Sequence, residues 1–463
     1  MEISRAALRA RLAELVAQHD VPGAVVGVWH RGDVVTAAAG VLNRRTGVPV
    51  TEDSVFQIGS ITKVWTATLV MQLVDEGLVD LDCPVQHYVP EFTCADPDAA
   101  RVITVRQLLC HTSGVDGDFF EDFGRGDECL DRYVRGMSGL PLVAPPGAVS
   151  SYCNAGYVVL GRLVERLRDL TFDDAVRRHL TEPLGLEHTV TLPEDALVQR
   201  AAVGHVPSPG GAAQPAATWS LPRALGPAGL ITCSVGDLLS FAAMHLDEGH
   251  GPQGREVLAA WAVNEMQRRQ AVKPDAPRGT VGGGLGWVLS DWGTGVAGHD
   301  GGTIGQYASL RIVPEHRFAC AVLTNGGGGL RLAAALLDEV CRVAVDIGPP
   351  PPTPGLADGL DLAPLVGTYA RTGARVEVTL DDSGQPQLAV RSEGVLAMTS
   401  EPPPPQPLVM TSPRTGRTIY PDMDVELGVA FSEPHPAQGF ELLHLAGRVH
   451  RRTPQRTLEE SLT

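Results

Sequence analysis

The sequence predicts the α/β fold class: a sandwich of an antiparallel sheet with helices, joined to a helical region and followed by a small all-β barrel. Three observations predict it. Alternating apolar stretches lie near both ends of residues 1–346, helical periodicity fills the middle, and further short alternating stretches follow residue 359. Residues 347–358 hold a proline run that belongs to neither helix nor sheet. We therefore expect a large domain over 1–346, a stiff linker over 347–358 and a barrel domain over 359–463.

Periodicity places the individual elements. In the first part, helices are predicted over 4–19, 60–77, 104–111, 127–136 and Tyr157–Leu167, and strands over Gly23–His30, Asp33–Ala39 and Ser309–Val313. A strand beginning in Gly282–Trp287 is expected to pair with the strand after His299. In the second part, strands are predicted over Val376–Leu380, Gln387–Val390, Val395–Met398, Leu408–Met410, Val425–Phe431 and Phe440–Leu445. Short strands separated by turns are typical of a small antiparallel barrel.

Composition limits the partners and the location. The formal net charge of −17 over 463 residues argues against nucleic acid and anionic membranes as partners. The N-terminus lacks the pattern of a signal peptide, and no run approaches about 18 apolar residues. Eight scattered cysteines without metal-ligand spacing are expected to be reduced thiols. We therefore predict a cytoplasmic protein that needs no metal or organic cofactor, and we leave its oligomeric state open.

The most informative motif is Ser60-Ile61-Thr62-Lys63. A hydroxyl and an amine three residues apart share one face of a helix. Gly59 suits a tight entry into that helix, whose N-terminus directs backbone N–H groups and positive potential at the serine oxygen. A lysine held in an apolar wall can lose its proton and act as a base. Where such a motif stands alone, a helix cap followed by a surface lysine is the commoner explanation.

Two further motifs point to the same chemistry. Tyr152-Cys153-Asn154 places a phenol and a carboxamide two residues apart on a loop, from which both can enter one cleft. His299-Asp300-Gly301-Gly302 precedes the predicted strand Ser309–Val313. Taken singly, Tyr152 could be a core tyrosine with a satisfied hydroxyl, and the glycine-containing run could be a hairpin turn. The specific observation is the ordered trio, with intervals of about 90 and then about 150 residues.

In these three motifs the chain resembles the class C β-lactamase and penicillin-binding-protein family of serine acyl enzymes, over roughly residues 10 to 345. That family combines Ser-x-x-Lys, Tyr-x-Asn and a Lys-Thr-Gly or His-x-Gly triad. The resemblance implies a β-lactamase-like catalytic fold, and the barrel resembles the lipocalin-like C-terminal domain of some members. Where β-lactamases and transpeptidases carry a lysine, this chain has His299, which is mostly neutral at pH 7. The resemblance is therefore to the His-x-Gly branch.

The residue types give the reacting groups their expected roles. Ser60 attacks a carbonyl carbon and forms an acyl-enzyme. Lys63 and Tyr152 share the proton transfers, and the phenol is expected to ionise if cationic neighbours favour phenolate. The backbone N–H groups of Ser60 and Gly302 are expected to form the oxyanion hole, where losing one donor typically costs about 10²–10³ in rate.

The remaining candidates are expected around the substrate. Asn154 would hydrogen-bond the substrate's amide, and His299 would complete the polar network around the phenol. Asp300 could orient a substrate amine or hydroxyl, and Gly301 of the same motif is also a candidate for binding the substrate. Arg448 is the first residue of a basic run near the end of the chain. It is expected either to contact the substrate or to lie at a solvated strand end. The barrel is expected either to be a passive cap or to contact the substrate.

The His-x-Gly branch contains D-stereospecific aminopeptidases, esterases and penicillin-binding-protein-type thioesterases, and the resemblance implies that this chain is one of these enzymes. We predict a serine hydrolase or acyltransferase acting on peptidyl thioesters or esters, or on peptides with D-residues. The most specific expectation is a thioesterase that releases and cyclises nonribosomal peptides. Its substrate would be a peptide attached to a small molecule or to a carrier protein. The alternative is a cytoplasmic esterase, a D-stereospecific aminopeptidase or a β-lactamase-like hydrolase with the same site. A non-enzymatic scaffold is disfavoured because all three motifs retain reactive groups.

Overall fold

A computed structural model describes residues 3–208, 211–275, 279–356, 360–392, 403–420, 425–432 and 441–453. Within those ranges no helix combines the length and the apolar character needed to cross a membrane. All eight cysteines fall in the described ranges, each with a free thiol, and seven of them are buried.

All the α-helices of the described residues lie in the first part of the chain, before, between and after its strands. The α-helices of the described residues are α1 (Arg5–Gln18), α2 (Thr62–Asp75), α3 (Pro97–Ala100), α4 (Val105–Leu109), α5 (Cys129–Gly136), α6 (Asn154–Arg168), α7 (Phe172–Val176), α8 (Glu182–Leu184), α9 (Pro193–Ala196), α10 (Gly226–Gly229), α11 (Val235–Leu246), α12 (Ala260–Gln267) and α13 (Gly329–Val345). A π-helical segment, Arg177–Thr181, joins α7 to α8. Short 3₁₀ turns cover Gly59–Ile61, Val85–His87, Met137–Gly139, Arg223–Leu225, Pro252–Gly254, Pro314–His316 and Ala363–Leu365.

The strands form two large antiparallel sheets and two small ones. They are β1 (Gly23–His30), β2 (Asp33–Gly40), β3 (Phe56–Gln57), β4 (Thr189–Val190), β5 (His205–Ser208), β6 (Gly211–Pro215), β7 (Thr232–Cys233), β8 (Thr280–Gly283), β9 (Val288–Asp291), β10 (Gly295–Gly302), β11 (Tyr307–Val313), β12 (Phe318–Thr324), β13 (Gly367–Arg371), β14 (Ala374–Leu380), β15 (Pro386–Ser392), β16 (Gln406–Pro407), β17 (Val409–Met410), β18 (Thr415–Tyr420), β19 (Val425–Ser432), β20 (Leu442–Leu445) and β21 (Arg448–Arg452). The small sheets have the orders β3-β7-β4 and β5-β6.

A seven-stranded sheet with the order β2-β1-β12-β11-β10-β9-β8 is the centre of the first part. Helices cover both faces. On one face, leucines of α1 and α13 pack against β1 and β12 in a shared apolar cluster. On the other face, α2 and α11 belong to a second and larger cluster that extends into the helical region. With both faces covered, β12 is buried along its whole length, which explains its continuous apolar sequence.

Helix α2 lies between the sheet and the helical region, and every residue from Thr62 to Leu73 is buried. An all-round apolar helix is typical of such a buried position. Trp65 stacks on Phe241 of α11, with ring centroids 3.9 Å apart. The 3₁₀ turn Gly59–Ile61 leads into α2. Packing on all sides therefore fixes the residues at the start of this helix.

The second sheet closes almost completely. Its order is β16-β15-β14-β13-β21-β20-β19-β18-β17, and its two edge strands, β16 and β17, are separated by Leu408 alone. Because these two edge strands are adjacent in the sequence, the sheet must curl until its two edges lie side by side. The Thr418 hydroxyl of β18 donates to the Pro407 carbonyl of β16 at 2.9 Å, across that seam. A core that includes Tyr369, Val376 and Leu443 fills the interior.

The barrel is docked on the first part by backbone and apolar contacts. The Val449 N–H donates to Ser151 Oγ at 3.1 Å, and Arg451 Nε donates to the Val143 carbonyl at 2.7 Å. Val143 also packs with Leu442 and Val449 in a small buried cluster. The strand β21 therefore touches the loop that carries the second sequence motif.

The predicted fold class is confirmed, and two details near the site differ. The segment at Gly282 belongs to β8, which pairs with β9, whereas the His299 motif lies within β10 and β10 itself pairs with β11. The predicted helix start at residue 60 is a 3₁₀ turn, and α2 begins at Thr62. The predicted strand Val395–Met398 and residue Phe440 lie outside the described residues.

Candidate active site

The Ser60–Lys63 pair sits where the 3₁₀ turn enters α2. Lys63 Nζ donates to Ser60 Oγ at 3.1 Å and to the Ala228 carbonyl of α10 at 2.6 Å. Lys63 has no exposed surface. Burial, reinforced by the Arg448 guanidinium, holds the pKa of the Lys63 ammonium well below its usual range. The amine can therefore be neutral near neutral pH and accept the serine proton.

Gly59 permits a close backbone approach at this turn. It adopts a φ of +51°, and a Cβ atom there would lie 2.5 Å from the Gly302 nitrogen. Gly301 is equally constrained, since its Cβ would lie 1.9 Å from the Ile58 carbonyl oxygen and 2.9 Å from the Ser60 nitrogen. These glycines let the end of β10 press against the turn. The backbone N–H groups of Ser60 and Gly302 thus belong to directly packed segments.

Tyr152 lies over the lysine and under the barrel. Its ring centroid is 4.7 Å from Lys63 Nζ and 5.0 Å from the Arg448 guanidinium carbon. Its backbone N–H donates to the Gly447 carbonyl of the barrel at 2.8 Å. The phenol oxygen is buried with no hydrogen-bond partner among the described residues. Burial raises the pKa of the Tyr152 phenol, although the Ser60 side chain and the Arg448 charge oppose the rise. The cationic neighbour that would favour a phenolate is therefore present, but burial outweighs it and the phenol is neutral.

His111 holds the Tyr152 loop on both sides. Its carbonyl accepts from the Ser151 N–H at 2.8 Å, and its Nδ1 accepts from the Cys153 N–H at 3.1 Å. Its ring lies against Tyr152 with centroids 4.5 Å apart. Burial holds the pKa of His111 well below its usual range, so the ring is neutral with its proton on Nε2. A φ of +62° at this residue is uncommon outside glycine and is a strain often kept at functional sites.

His299 faces the same space from β10. Its ring centroid is 6.2 Å from that of Tyr152, and its Nδ1 lies 2.6 Å from the Asp300 carbonyl. Burial, with a smaller contribution from Lys63, lowers the pKa of His299 to about 3. The imidazole is therefore neutral, with Nδ1 as the donor. The Asp300 carboxylate is engaged by Arg311 at 2.8 and 3.0 Å, so its expected contact with a substrate amine or hydroxyl stays a prediction.

Asn154 is the first residue of α6, and the Asp118 carboxylate links its side chain to two arginines of the barrel. Its Nδ2 donates to Asp118 Oδ1 at 2.9 Å. Arg448 Nε donates to Asp118 Oδ2 at 2.7 Å, and Arg371 of β13 contacts the same oxygen at 2.9 Å. Both arginines come from barrel strands. The second part of the chain therefore contributes directly to the fixed polar groups of the site.

A cavity of about 550 Å³ joins these groups. The lining residues predicted from the sequence are Ser60, Tyr152, Asn154, His299, Asp300, Gly302 and Arg448, while Lys63 lies beneath Ser60 and Gly301 lies behind the turn. The barrel supplies Leu427, Gly428, Ala446, Gly447 and Arg448 to its wall. Among the described residues no group of three or more histidine, cysteine, aspartate or glutamate side chains is placed to hold a metal ion.

A protein-family model described as beta-lactamase matches residues 8–340, more than two thirds of the chain. The chain belongs to the β-lactamase family. A curated relative, penicillin-binding protein 4 of Amycolatopsis lactamdurans, is 44% identical over 381 residues, which cover 81% of this chain and 99% of the relative. The predicted family and the predicted class of serine hydrolase or acyltransferase are thereby confirmed.

Solved structures extend this β-lactamase-family comparison to the barrel. The crystal structure of SurE, also solved with D-Leu, is 30% identical with a TM-score of 0.79 and covers 97% of this chain and 99% of its own. The D-amino acid amidase of Ochrobactrum anthropi, 23% identical with a TM-score of 0.60, covers 73% of this chain and 96% of its own. The latter likeness concerns the fold alone.

Sequence reasoning missed three residues of this β-lactamase-family site: His111, Asp118 and Lys273. Lys273 lines the cavity beside Asp275, and burial lowers the pKa of its ammonium. Composition contained a signal for it. The chain has 37 lysines and arginines, of which only Lys63 and Lys273 are lysine. Lys273 lines the cavity and Lys63 lies beneath Ser60, so both lysines of the sequence belong to the site.

Proposed function

We propose that the chain is a serine acyltransferase that takes a peptidyl thioester or ester, releases the leaving group and closes the peptide head to tail. One observation carries this proposal: the Ser60 hydroxyl lies 3.1 Å from the amine of a fully buried lysine, on the wall of the cavity shared with the barrel. That arrangement is an activated nucleophile with its base. The substrate would be a peptide on a small thiol or on a carrier protein.

In the first half-reaction, Ser60 Oγ bonds to the acyl carbon while its proton passes to Lys63. The C–S bond of the thioester breaks, and the thiol leaves with a proton returned from Lys63 through the neutral phenol of Tyr152. In the second half-reaction, the amino group at the other end of the peptide attacks the acyl carbon, and the bond between that carbon and Ser60 Oγ breaks. Its proton passes back along the same groups to Ser60 Oγ, so acid and base roles reverse.

The charge that develops on the carbonyl oxygen would be met by the N–H groups of Ser60 and Gly302. The close packing of the Gly59 turn against β10 supports this role, since preorganised donors need no rearrangement during the reaction. Asn154, Lys273 and Arg448 would contact the peptide, and neutral His299 would orient the groups around Tyr152. Gly301 would act through its packing rather than through contact with the substrate.

The barrel favours aminolysis over hydrolysis in this proposal. Its Leu427 and Gly447 line the cavity together with Leu221 and Leu225, and an apolar lining would limit the access of water to an acyl-enzyme. We accordingly propose residues 1–346 as the catalytic domain, 347–358 as the linker and 359–463 as the domain that completes the cavity. The coverage of SurE over 97% of this chain, barrel included, supports the division, and its structure with D-Leu supports a D-residue in the substrate.

An esterase or D-stereospecific aminopeptidase using the same residues is the second candidate. The D-amino acid amidase shares the fold, and hydrolysis needs only a water molecule in place of the amine. The cytoplasmic location expected from the sequence stays a prediction under either candidate.

The experiment that tests the proposal is incubation with a linear peptidyl N-acetylcysteamine thioester ending in a D-residue, followed by mass spectrometry. A cyclic product and a transient Ser60 adduct are expected. A linear acid with the same adduct would favour the hydrolase. Absence of any Ser60 adduct would overturn both candidates.

Replacing Tyr152 with phenylalanine is expected to lower kcat by about 10²–10³, because the phenol relays the proton to the leaving group. The free energy of unfolding should fall by no more than about 1 kcal/mol, since the Ser60 side chain is the neighbour that favours the ionised form of the buried phenol. Tyr157→Phe is the matched control, because its hydroxyl donates to the Leu109 carbonyl at 2.7 Å. That variant should lose about 1 kcal/mol of unfolding free energy and keep kcat. Equal activity of Tyr152→Phe and wild type would contradict the role.

Replacing Lys273 with methionine is expected to raise KM about tenfold with little change in kcat, because its ammonium offers a charged hydrogen bond to the bound peptide. Lys273→Arg keeps the charge and should retain most of the affinity. Steady-state kinetics on the same thioester separates the two constants. A fall in kcat at constant KM would show that Lys273 acts on the reaction rather than on binding.

A further inference from the structure

Asp118 is a buried carboxylate that is held by Asn154 and by two arginines of the barrel. Its side chain is only 4% exposed and accepts hydrogen bonds from Asn154 Nδ2 at 2.9 Å and from Arg448 Nε and Nη2 at 2.7 and 3.2 Å. It also forms an ion pair with Arg371 Nη1 at 2.9 Å. Burial opposes its ionisation, but Arg448 and Arg371 outweigh burial and lower the pKa of Asp118 to about 2. At any pH near neutrality Asp118 is therefore an anion that can only accept hydrogen bonds.

This anion decides which way the Asn154 amide faces. An amide can present its nitrogen or its oxygen to a neighbour, and the choice follows from the hydrogen-bond network. An ionised carboxylate accepts only from the nitrogen, so Asn154 Nδ2 must face Asp118. The carbonyl oxygen then remains for the cavity that Asn154 lines, and no described residue donates a hydrogen bond to it.

We propose that Asp118, clamped by Arg371 and Arg448 of the barrel, is a positioning residue that presents the Asn154 carbonyl oxygen to the substrate as a hydrogen-bond acceptor. The acyl part of the substrate must then carry a donor at that place, which is a backbone N–H of a peptide. The substrate class is thereby narrowed to acyl groups with an amide N–H near the reacting carbonyl, as opposed to ester-linked or fatty acyl groups. This inference rests on the proposed function of the same cavity.

Asp116 provides a matched control two residues away. It is also buried at the interface with the barrel, where its Oδ2 accepts from the Thr372 N–H at 2.6 Å. It has no hydrogen bond to Asn154, which is held by Asp118. Loss of its charge disturbs the same interface without touching the amide.

The test compares two peptidyl N-acetylcysteamine thioesters that differ in one atom: one ends in D-alanine, the other in D-lactate, whose ester oxygen replaces the N–H. Wild type should favour the D-alanine substrate by about 10- to 100-fold in kcat/KM, since the ester removes the donor and faces the carbonyl oxygen with lone pairs. The rate of Ser60 acylation, followed by mass spectrometry, is the readout.

Asp118→Asn should remove or invert that preference. The new amide oxygen stays with the two guanidinium groups, so its nitrogen faces Asn154 and turns the Asn154 nitrogen towards the cavity. Asp116→Asn should retain the wild-type preference. An unchanged preference in Asp118→Asn, or its loss in both variants, would overturn the inference.

Asn154→Ala gives a second test that does not depend on the folding of Asp118→Asn, because it leaves the three arginine contacts of Asp118 in place. The preference for D-alanine over D-lactate should vanish in it, and its persistence would overturn the inference. Equal acylation of wild type by the two substrates would also overturn the inference while leaving the proposed function intact. If neither substrate acylates Ser60, the proposed function itself fails.

Discussion

Ser60→Ala is expected to abolish formation of the acyl-enzyme and to lower kcat/KM by on the order of 10⁴–10⁶. The reason is that the serine oxygen forms the bond to the acyl carbon, and no other hydroxyl lies within hydrogen-bond distance of the Lys63 amine among the described residues. The measurement is intact-protein mass spectrometry during turnover of the peptidyl thioester, together with steady-state rates.

The variant should fold normally, because Ser60 is partly exposed to the cavity and its only fixed contact in the described residues is with Lys63. Ser54→Ala is a suitable control. Ser54 is buried, and its hydroxyl accepts from the Thr51 N–H at 2.9 Å, away from the cavity lining. It should lose about 1 kcal/mol of unfolding free energy and keep its activity. An acyl adduct on Ser60→Ala would show that the nucleophile lies elsewhere.

The residues that meet at the cavity could be predicted from the sequence where each lies in a local motif. The spacing of Ser60 and Lys63 sets their relation on one turn, whatever the rest of the fold does. Tyr152 and Asn154 are likewise two residues apart, and glycines mark the close approach after His299. Local geometry and residue chemistry were sufficient for these positions.

The supporting groups could not be predicted, because they depend on pairings between distant segments. Asp118 meets Arg448 across 330 residues, and neither periodicity nor composition encodes that contact. Asp300 pairs with Arg311 because the register of β10 on β11 places that arginine diagonally opposite it, and its contact with a substrate amine or hydroxyl stays a prediction. The pKa of the Tyr152 phenol likewise depends on burial and on Arg448 of the barrel, which the sequence around Tyr152 does not contain.

Lys63→Met is expected to lower kcat/KM by about 10²–10⁴, the range typical of a lost general base, while Ser60 and the cavity stay in place. The two lysine variants form a pair. Methionine at Lys63 should affect kcat, whereas methionine at Lys273 should affect KM. Rates on one thioester between pH 6 and 9 provide the comparison, and a Lys63→Met enzyme with wild-type kcat would remove the base from the mechanism.

The pH dependence separates a base from a merely structural lysine. Burial lowers the pKa of Lys63 from 10.5, so kcat/KM should rise with pH as the ammonium loses its proton, and this rise should lie well below 10.5. His299, with a pKa of about 3, cannot produce it. The rise should therefore disappear in Lys63→Met and persist in Lys273→Met.

The pH dependence of the unfolding free energy should also reveal the loss of the Lys63 proton on folding. Between the lowered pKa of folded Lys63 and 10.5, the unfolded chain binds a proton that the folded chain does not, so the unfolding free energy of wild type should increase with pH. Lys63→Met should lack this contribution, and the difference between the two proteins is measured by chemical denaturation at pH 7, 8 and 9. Parallel pH dependences would mean that Lys63 stays charged when buried, and a charged Lys63 could not take the proton from Ser60.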